Sequence, residues 1–319
     1  MNKTELRSIR LKLIAQSKGA LRSAVGFVAL NVFLVALGVS LSLGSMVEWF
    51  FGQILMTVVL IQSFVLLHEA KHQTLFRSKT ANQIVGFFAG ILAFLPAENW
   101  QLVHEDHHRW TGYLDRDPTS RGLLSEPSPW AIRVLNFCWR YFIPVLFLRY
   151  RVTNYWNLRR LVQLYPKPWQ KRRIYLSTAS VLVAHALLVA ALGLFGYLSV
   201  FALSFVLHSI IMDPIVLCQH CHLSYERAGD VDVKPILATE HDRYTRSVHF
   251  PRFISRWLLL GFDRHELHHL LPGIPGYLLN RVEEKTINQF SFFQWLRQAK
   301  RIPGYTLVFK TREQTGLWI

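Results

Sequence analysis

Three pentapeptides carry the chemistry available to this chain: His68-Glu69-Ala70-Lys71-His72, His104-Glu105-Asp106-His107-His108 and His265-Glu266-Leu267-His268-His269. On a helix, positions i, i+3 and i+4 share a face, so each pentapeptide can aim two or three imidazoles at one point. Eight of the 14 histidines lie in these boxes. A surface histidine needs no such company, and a buried structural one needs a single backbone partner. Metal ligation uses them together. Each box also spells H-E-x-x-H, in which two histidines hold zinc and the glutamate is the general base of a metalloprotease. One copy would favour a zinc-dependent intramembrane hydrolase built on His68, Glu69 and His72. Three copies, two of them ending in His-His, supply more imidazoles than one zinc accepts, so two metals held almost wholly by histidine fit better. Imidazole suits iron, copper, nickel or zinc. Apolar surroundings favour iron, because hydrocarbon chains offer no hydrolysable bond and yield only to oxidation.

The elements that must position the boxes are apolar. Of 319 residues, 51% are hydrophobic, with 22 Phe and 10 Trp, and they come in blocks. Ala24 to Val47 holds no charge over 24 residues, and at about 1.5 Å per residue it exceeds the roughly 30 Å of a bilayer core. Trp49 to Leu67 is a second such block. Ile174 to Met212, uncharged for 39 residues with Gly193 and Gly196 near its middle, predicts a tight helical hairpin ending at Asp213-Pro214. Ala81 to Ala97 has only 17 uncharged residues, and a full crossing there would separate the first two boxes across the membrane. It reads as re-entrant or interfacial, ended by Pro96. Trp130 to Tyr150, interrupted by Arg133, Arg140 and Arg149, reads as an amphipathic interfacial helix. Arg159 to Arg173 reads as a basic, proline-broken, solvated loop that an electron-transfer partner can meet.

The fold expected is therefore an all-α integral membrane protein, with four transmembrane helices in two hairpins and a cytoplasmic helical cap carrying histidine boxes. Its expected segments are a basic N-terminal stretch (1–23), the hairpins with interfacial segments and the first two boxes (24–217), and a cap with the third box (218–319), acting as one functional domain. A net charge of +16 could suggest nucleic acid, but its placement points elsewhere. Lys3, Arg7, Arg10, Lys12, Lys18 and Arg22 precede the first apolar block, while the opposite-side turns offer only Glu48. That is the positive-inside pattern. It places both termini and the boxes in the cytoplasm of a multi-pass protein, with the bacterial inner (plasma) membrane the expected location, and argues against a nucleic-acid partner. The first block is too long for a cleaved signal. Cys138, Cys218 and Cys221 make no disulfide framework, and the lone C-x-x-C is too few thiolates for a closed metal site. No solenoid repeat or low-complexity tract is evident.

With these residues in view, the chain resembles the integral-membrane fatty acid desaturase and hydroxylase superfamily of histidine-box di-iron enzymes, from roughly Ile54 to Leu279. The superfamily pattern is H-x-x-x-H, H-x-x-H-H and a later H-x-x-H-H around two helical hairpins. Thr111 and Asp115-Arg116-Asp117-Pro118 after the second box, and Pro272, Pro275 and Tyr277 after the third, look like the desaturase branch. So does Gln219-His220 after the last span. The resemblance implies nine iron ligands: His68, His72, His104, His107, His108, His220, His265, His268 and His269. It implies two non-haem iron ions, O2 as co-substrate, and insertion of a double bond into a lipid acyl chain; a hydroxylase, a carotenoid ketolase or an oxidative decarboxylase are the alternatives. Where such desaturases often have Asn-Tyr-His entering the third box, this chain has Asp263-Arg264-His265.

Other groups receive quieter expectations. His185 and His208 read as hydrogen-bonders in helix packing, and His222, His241 and His249 as candidates to replace His220. Glu69, Glu105, Asp106 and Glu266 are expected to accept from ligand N–H groups, fixing each imidazole's tautomer. The chain shows no Rossmann glycine fingerprint and no ferredoxin cysteine set. Electrons are therefore expected from an external donor of ferredoxin, rubredoxin or cytochrome b5 type and its reductase.

Overall fold

A computed structural model of the chain describes residues 3–16, 20–282 and 287–319. Of the basic N-terminal stretch, residues 1–2 and 17–19, including Lys18, lie outside the described residues. The chain is mostly helical. Three helices are long and apolar enough to cross a membrane, or up to five if each of two bent pairs counts as one span.

After α1 (Lys3–Gln16) come α2 (Ala20–Ser42) and α3 (Met46–Lys71), which pack as a hairpin. Its turn is closed by Glu48, which accepts from the Ser45 amide at 2.7 Å. Polar groups within apolar helices need partners, and here they link helices. Asn31 donates to Gln62 at 3.1 Å, and Gln53 donates to the Ser199 carbonyl at 2.7 Å. From Val59 onward α3 is buried almost continuously, making it the central helix and delivering His68 and His72 at its end. Outward faces carry exposed Phe33, Leu187 and Phe195, as lipid-facing surfaces do.

The uncharged stretch after the first box is α4 (Lys79–Leu92), followed by a 105° bend into α5 (Ala97–Trp110). Phe94 at φ 54° makes the turn, and Pro96 precedes the first residue of α5. Glu98, in the first turn of α5, accepts from Lys71 of α3 and from Arg173. A carboxylate is favoured at that helix end, and here it fixes α5 against two neighbours.

Two interfacial expectations are corrected. Trp130 to Tyr150 forms two helices, α6 (Pro129–Arg140) and α7 (Val145–Arg151), the latter running into a π-turn at Val152–Trp156. They meet at 113°, because Phe142 takes φ 57° and Pro144 cannot continue a helix. Arg159 to Arg173 is no solvated loop: it holds α8 (Leu158–Leu164) and the first turns of α9 (Pro168–His220). Asn157 caps α8 by accepting from Arg160 N, and Pro168 sits where a helix start tolerates proline. Two of its charges turn inward, Arg160 to the Pro118 carbonyl and Asn154, Arg173 to Glu98, while Arg159, Lys167, Lys171 and Arg172 stay exposed.

The long helix α9 folds back on itself at Gly193, whose φ of 69° and ψ of 162° are not helical. Tyr197 Oη lies 3.0 Å from His185 Nδ1, and the Phe201 ring 6.0 Å from that of His185. Twelve residues of straight helix would separate such groups by about 18 Å, so these contacts require the hairpin. Its second arm does not stop at Asp213-Pro214, as the sequence suggests. It carries Pro214 internally and continues to His220, running across the 217/218 segment boundary.

The final third is not wholly helical. Strands β1 (Ser247–His249) and β2 (Gln289–Ser291) pair in parallel with Ser247 opposite Gln289. Around them lie α10 (His265–Leu270), α11 (Gly276–Leu279), α12 (Phe292–Ala299) and α13 (Gly304–Phe309). Ser247 Oγ accepts from Glu266 N at 3.0 Å, so the strand pair seats the third box.

Candidate metal centre

Four helices aim imidazoles at one region. His68 and His72 at the end of α3, His104 on α5 and His268 on α10 form one group; His107 on α5, His220 ending α9, and His265 and His269 on α10 form another. Within each group the ligand atoms all lie within 4.8 Å of one another. His108 adjoins the first group, with Nε2 3.1 Å from that of His104 and 3.0 Å from that of His268. All nine expected ligands thus converge. Trp100 stacks on His104 at 4.2 Å and restrains that ring.

The outward nitrogens decide what the inward ones can do. His107 Nδ1 donates to Asp117 Oδ2 at 2.7 Å, and His220 Nδ1 to the Tyr244 carbonyl, an obligate acceptor, at 3.3 Å. A neutral ring with its proton outside keeps its Nε2 lone pair inward, and the two Nε2 atoms face each other at 3.1 Å. His68 Nδ1 donates likewise to Glu69 at 3.1 Å, while its buried Nε2 has no hydrogen-bond partner. Burial, then neighbouring imidazoles, push His265, His268 and His269 well below the ordinary histidine range, so they are neutral at pH 7. Converging neutral imidazoles with lone pairs inward repel one another unless a cation lies among them. Burial alone would raise the Asp117 carboxyl, but the His107 ring and the Thr119 amide and hydroxyl hold it below its usual value.

Spacing adds a geometric constraint. The linked Nε2 pairs are 2.8 to 3.1 Å apart. Two nitrogens about 2.1 Å from one ion stand about 3.0 Å apart at a right angle and about 3.4 Å apart at a tetrahedral one. Nitrogens at these spacings can share one ion.

The carboxylates are mostly elsewhere than expected. Glu69 does accept from a box histidine, but Glu105 takes Gln101, Asp106 lies beside Tyr165, and Glu266 accepts from Asn288 N. Adjacent residues on a helix point about 100° apart, so these side chains leave the face their neighbouring imidazoles share. Asp117 does this work for His107, and its one sequence signal is the Asp-Arg-Asp-Pro run. Both Glu69 oxygens are occupied, Oε1 by His68 and Oε2 by Thr74 and Gly276 N.

Most of the other histidines turn elsewhere, although the His241 ring stays 5.7 Å from that of His269. His222 takes φ 60° just past α9 and turns to Thr306 and Thr315. His241 bonds the Ile236 carbonyl, and His249 bonds Gln289. His185 donates to the Ile91 carbonyl, as a packing histidine should. His208 departs from expectation: buried, it has no hydrogen-bond partner at either ring nitrogen. Arg264, standing where Asn-Tyr-His would have Tyr, donates to Asn280. A cavity of about 510 Å³ reaches His68, His104, His107, His220 and His265, with Phe64, Leu95, Phe147 and Phe262 among its apolar walls.

Known proteins resemble this chain over most of its length. The sequence profile of the fatty acid desaturase family matches residues 20–299. A "Fatty acid desaturase" of Bacillus subtilis (strain 168) is 24% identical over 235 residues, 70% of this chain and 64% of the relative. An "sn-1 oleoyl-lipid 12-desaturase" of Picosynechococcus sp. is 24% identical, covering 69% of this chain and 63% of the relative. An "Omega-6 fatty acid desaturase, chloroplastic" of Brassica napus is 24% identical over 69% of this chain and 50% of the relative. The chain therefore spans half to just under two thirds of these relatives' lengths. By the extent of the profile match, the chain belongs to the fatty acid desaturase family.

Proposed function

We propose that this chain is a membrane-bound, O2-dependent di-iron desaturase that introduces a double bond into a lipid acyl chain. The observation that carries this reading is the pair of Nε2 lone pairs of His107 and His220 facing at 3.1 Å, with their outward nitrogens committed to Asp117 and Tyr244. The nine histidines named above are the proposed ligands of two non-haem irons. Bound there, iron with dioxygen supplies the oxidising power to remove hydrogen from unactivated C–H bonds. Dioxygen takes four electrons on becoming two waters. Two come from the C–H bonds, and two from a separate ferredoxin, rubredoxin or cytochrome b5 type protein and its reductase.

The chain's own residues do the positioning. Glu69 and Asp117 hold His68 and His107 in the tautomer that ligates. The apolar cavity walls exclude water and keep an alkyl chain extended beside the imidazoles. In the arrangement we favour, α2, α3 and the two arms of α9 cross the membrane, with both termini and all three boxes on the cytoplasmic side of a bacterial inner membrane. Residues 24–217 and 218–319 then act as one functional unit, since each metal group draws ligands from both.

Two measurements test this. Fatty acid profiling of cells with and without the chain should show a new double bond at constant carbon number, and purified protein should hold about two irons. A product one oxygen heavier would make it a hydroxylase or ketolase, one carbon shorter a decarboxylase, and a single zinc would restore the hydrolase. Asp117→Asn, which keeps all nine histidines, should weaken iron retention or turnover about 10–100-fold, read by chelator competition and product yield.

A further inference from the structure

One buried cation has no part in the histidine centre. Arg151, ending α7, is 4% exposed. It donates to the Ala93 and Phe94 carbonyls at the bend between α4 and α5. Its guanidinium also lies 5.3 and 5.7 Å from the ring centres of Phe147 and Phe205. Carbonyls at a helix C-terminus favour a cation without neutralising it, and no Asp or Glu among the described residues forms an ion pair with it. Nη1 is buried and unpartnered. His208 packs on the same two rings, 5.7 Å from Phe147 and 6.2 Å from Phe205, with both its nitrogens unpartnered. Three buried polar nitrogens thus gather around one pair of phenylalanines. An ionisable group kept among apolar helices is costly unless it serves a ligand.

Arg151 also lines the cavity that reaches the boxes. We propose that Arg151, backed by His208, binds the carboxylate of a free fatty acid whose alkyl chain runs through this cavity to the histidines. One carboxylate neutralises one guanidinium and suits its planar N–H geometry. A phosphate monoester dianion would leave charge uncompensated in an apolar site, and a guanidinium so little exposed has no room beside it for a lipid headgroup. The inference rests on the desaturase reading in taking the cavity as the acyl channel. It adds a rule of position. From Ala97 to His104 α5 rises about 10 Å, so the oxidised carbon lies several bonds from the carboxylate and is counted from that end.

The test uses full-length, iron-loaded protein and competition against a fluorescent fatty acid, with palmitate and 1-hexadecanol as matched ligands corrected for partitioning. Palmitate should bind at least about 10-fold more tightly than hexadecanol. Arg151→Gln should erase that preference while leaving hexadecanol unchanged, and Arg151→Lys should keep part of it. Equal binding of the two ligands to the unaltered protein would overturn the proposal. So would an Arg151→Gln protein that loses both alike, since Arg151 would then act only as a helix cap. If Arg151→Gln fails to accumulate, His208→Leu decides together with the unaltered ratio: removing His208 breaks no hydrogen bond and should cut palmitate binding alone, and an unchanged ratio counts against the site. Palmitate preference in a protein that forms no double bond would sink the desaturase reading and keep the carboxylate site. Double bonds found only in phospholipid acyl chains, with no palmitate preference, would do the reverse.

Discussion

Replacing His220 with Ala is expected to abolish most activity together with part of the bound iron, while His222→Ala keeps both. The two residues are neighbours in sequence and opposites in space. His220 is the last residue of α9, with Nε2 3.1 Å from that of His107 and 2.8 Å from that of His265. Cys221 then leaves the helix, and His222 turns away to Thr306 and Thr315. Outer partners of metal ligands typically cost about 10–100-fold when removed, so loss of a direct ligand should reach at least about 100-fold. His222→Ala removes two hydrogen bonds to the cap, costing about 1–3 kcal/mol of stability. Iron content and product formation, measured side by side, decide between them. Full iron and full turnover in His220→Ala would pass the ninth place to another histidine.

Gly261→Ala should be the most damaging substitution that touches no histidine. Gly261 has φ +83°, and a Cβ there would stand 2.0 Å from the Gly276 carbonyl oxygen. The left-handed conformation costs a non-glycine residue about 1–2 kcal/mol, and the overlap adds about 1–3 more. The damage is directed at the centre: Gly276 N donates to Glu69, whose other oxygen holds His68, and Gly261 lies four residues before His265. We expect roughly 3 kcal/mol of lost stability, poorer accumulation and reduced iron. Gly273→Ala, where a Cβ meets nothing within 4 Å, serves as the control. Equal thermal stability of the two purified variants would contradict the assignment.

What the sequence makes legible follows from periodicity. Box histidines at i, i+3 and i+4 converge because α3, α5 and α10 are helical where the boxes lie, and Gly193 turns α9 because an uncharged run of that length cannot remain one span. Partners set by tertiary geometry are not legible in this way. Asp117 reaches His107 from ten residues on, across a turn, while Glu105, one residue from His104, points to Gln101. Arg160 and Arg173 read as solvent charges by composition, yet Pro118, Asn154 and Glu98 draw them inward. The β1 and β2 strands are three residues each, too short for any alternation to register.

The division of ligands between distant parts of the chain also orders its biogenesis. One metal group takes three histidines from the first third and waits for His268; the other has only His107 and His220 until His265 and His269 arrive. A nascent chain that has passed both hairpins therefore still lacks His268 at one place and His265 and His269 at the other. On the di-iron proposal, iron loading would be a late event, because the ligand set is complete only once α10 has been made and Gly276 has reached Glu69. Until then the proposed centre lacks part of its ligand set, which on that reading would spare the surrounding lipid from unguided oxidation.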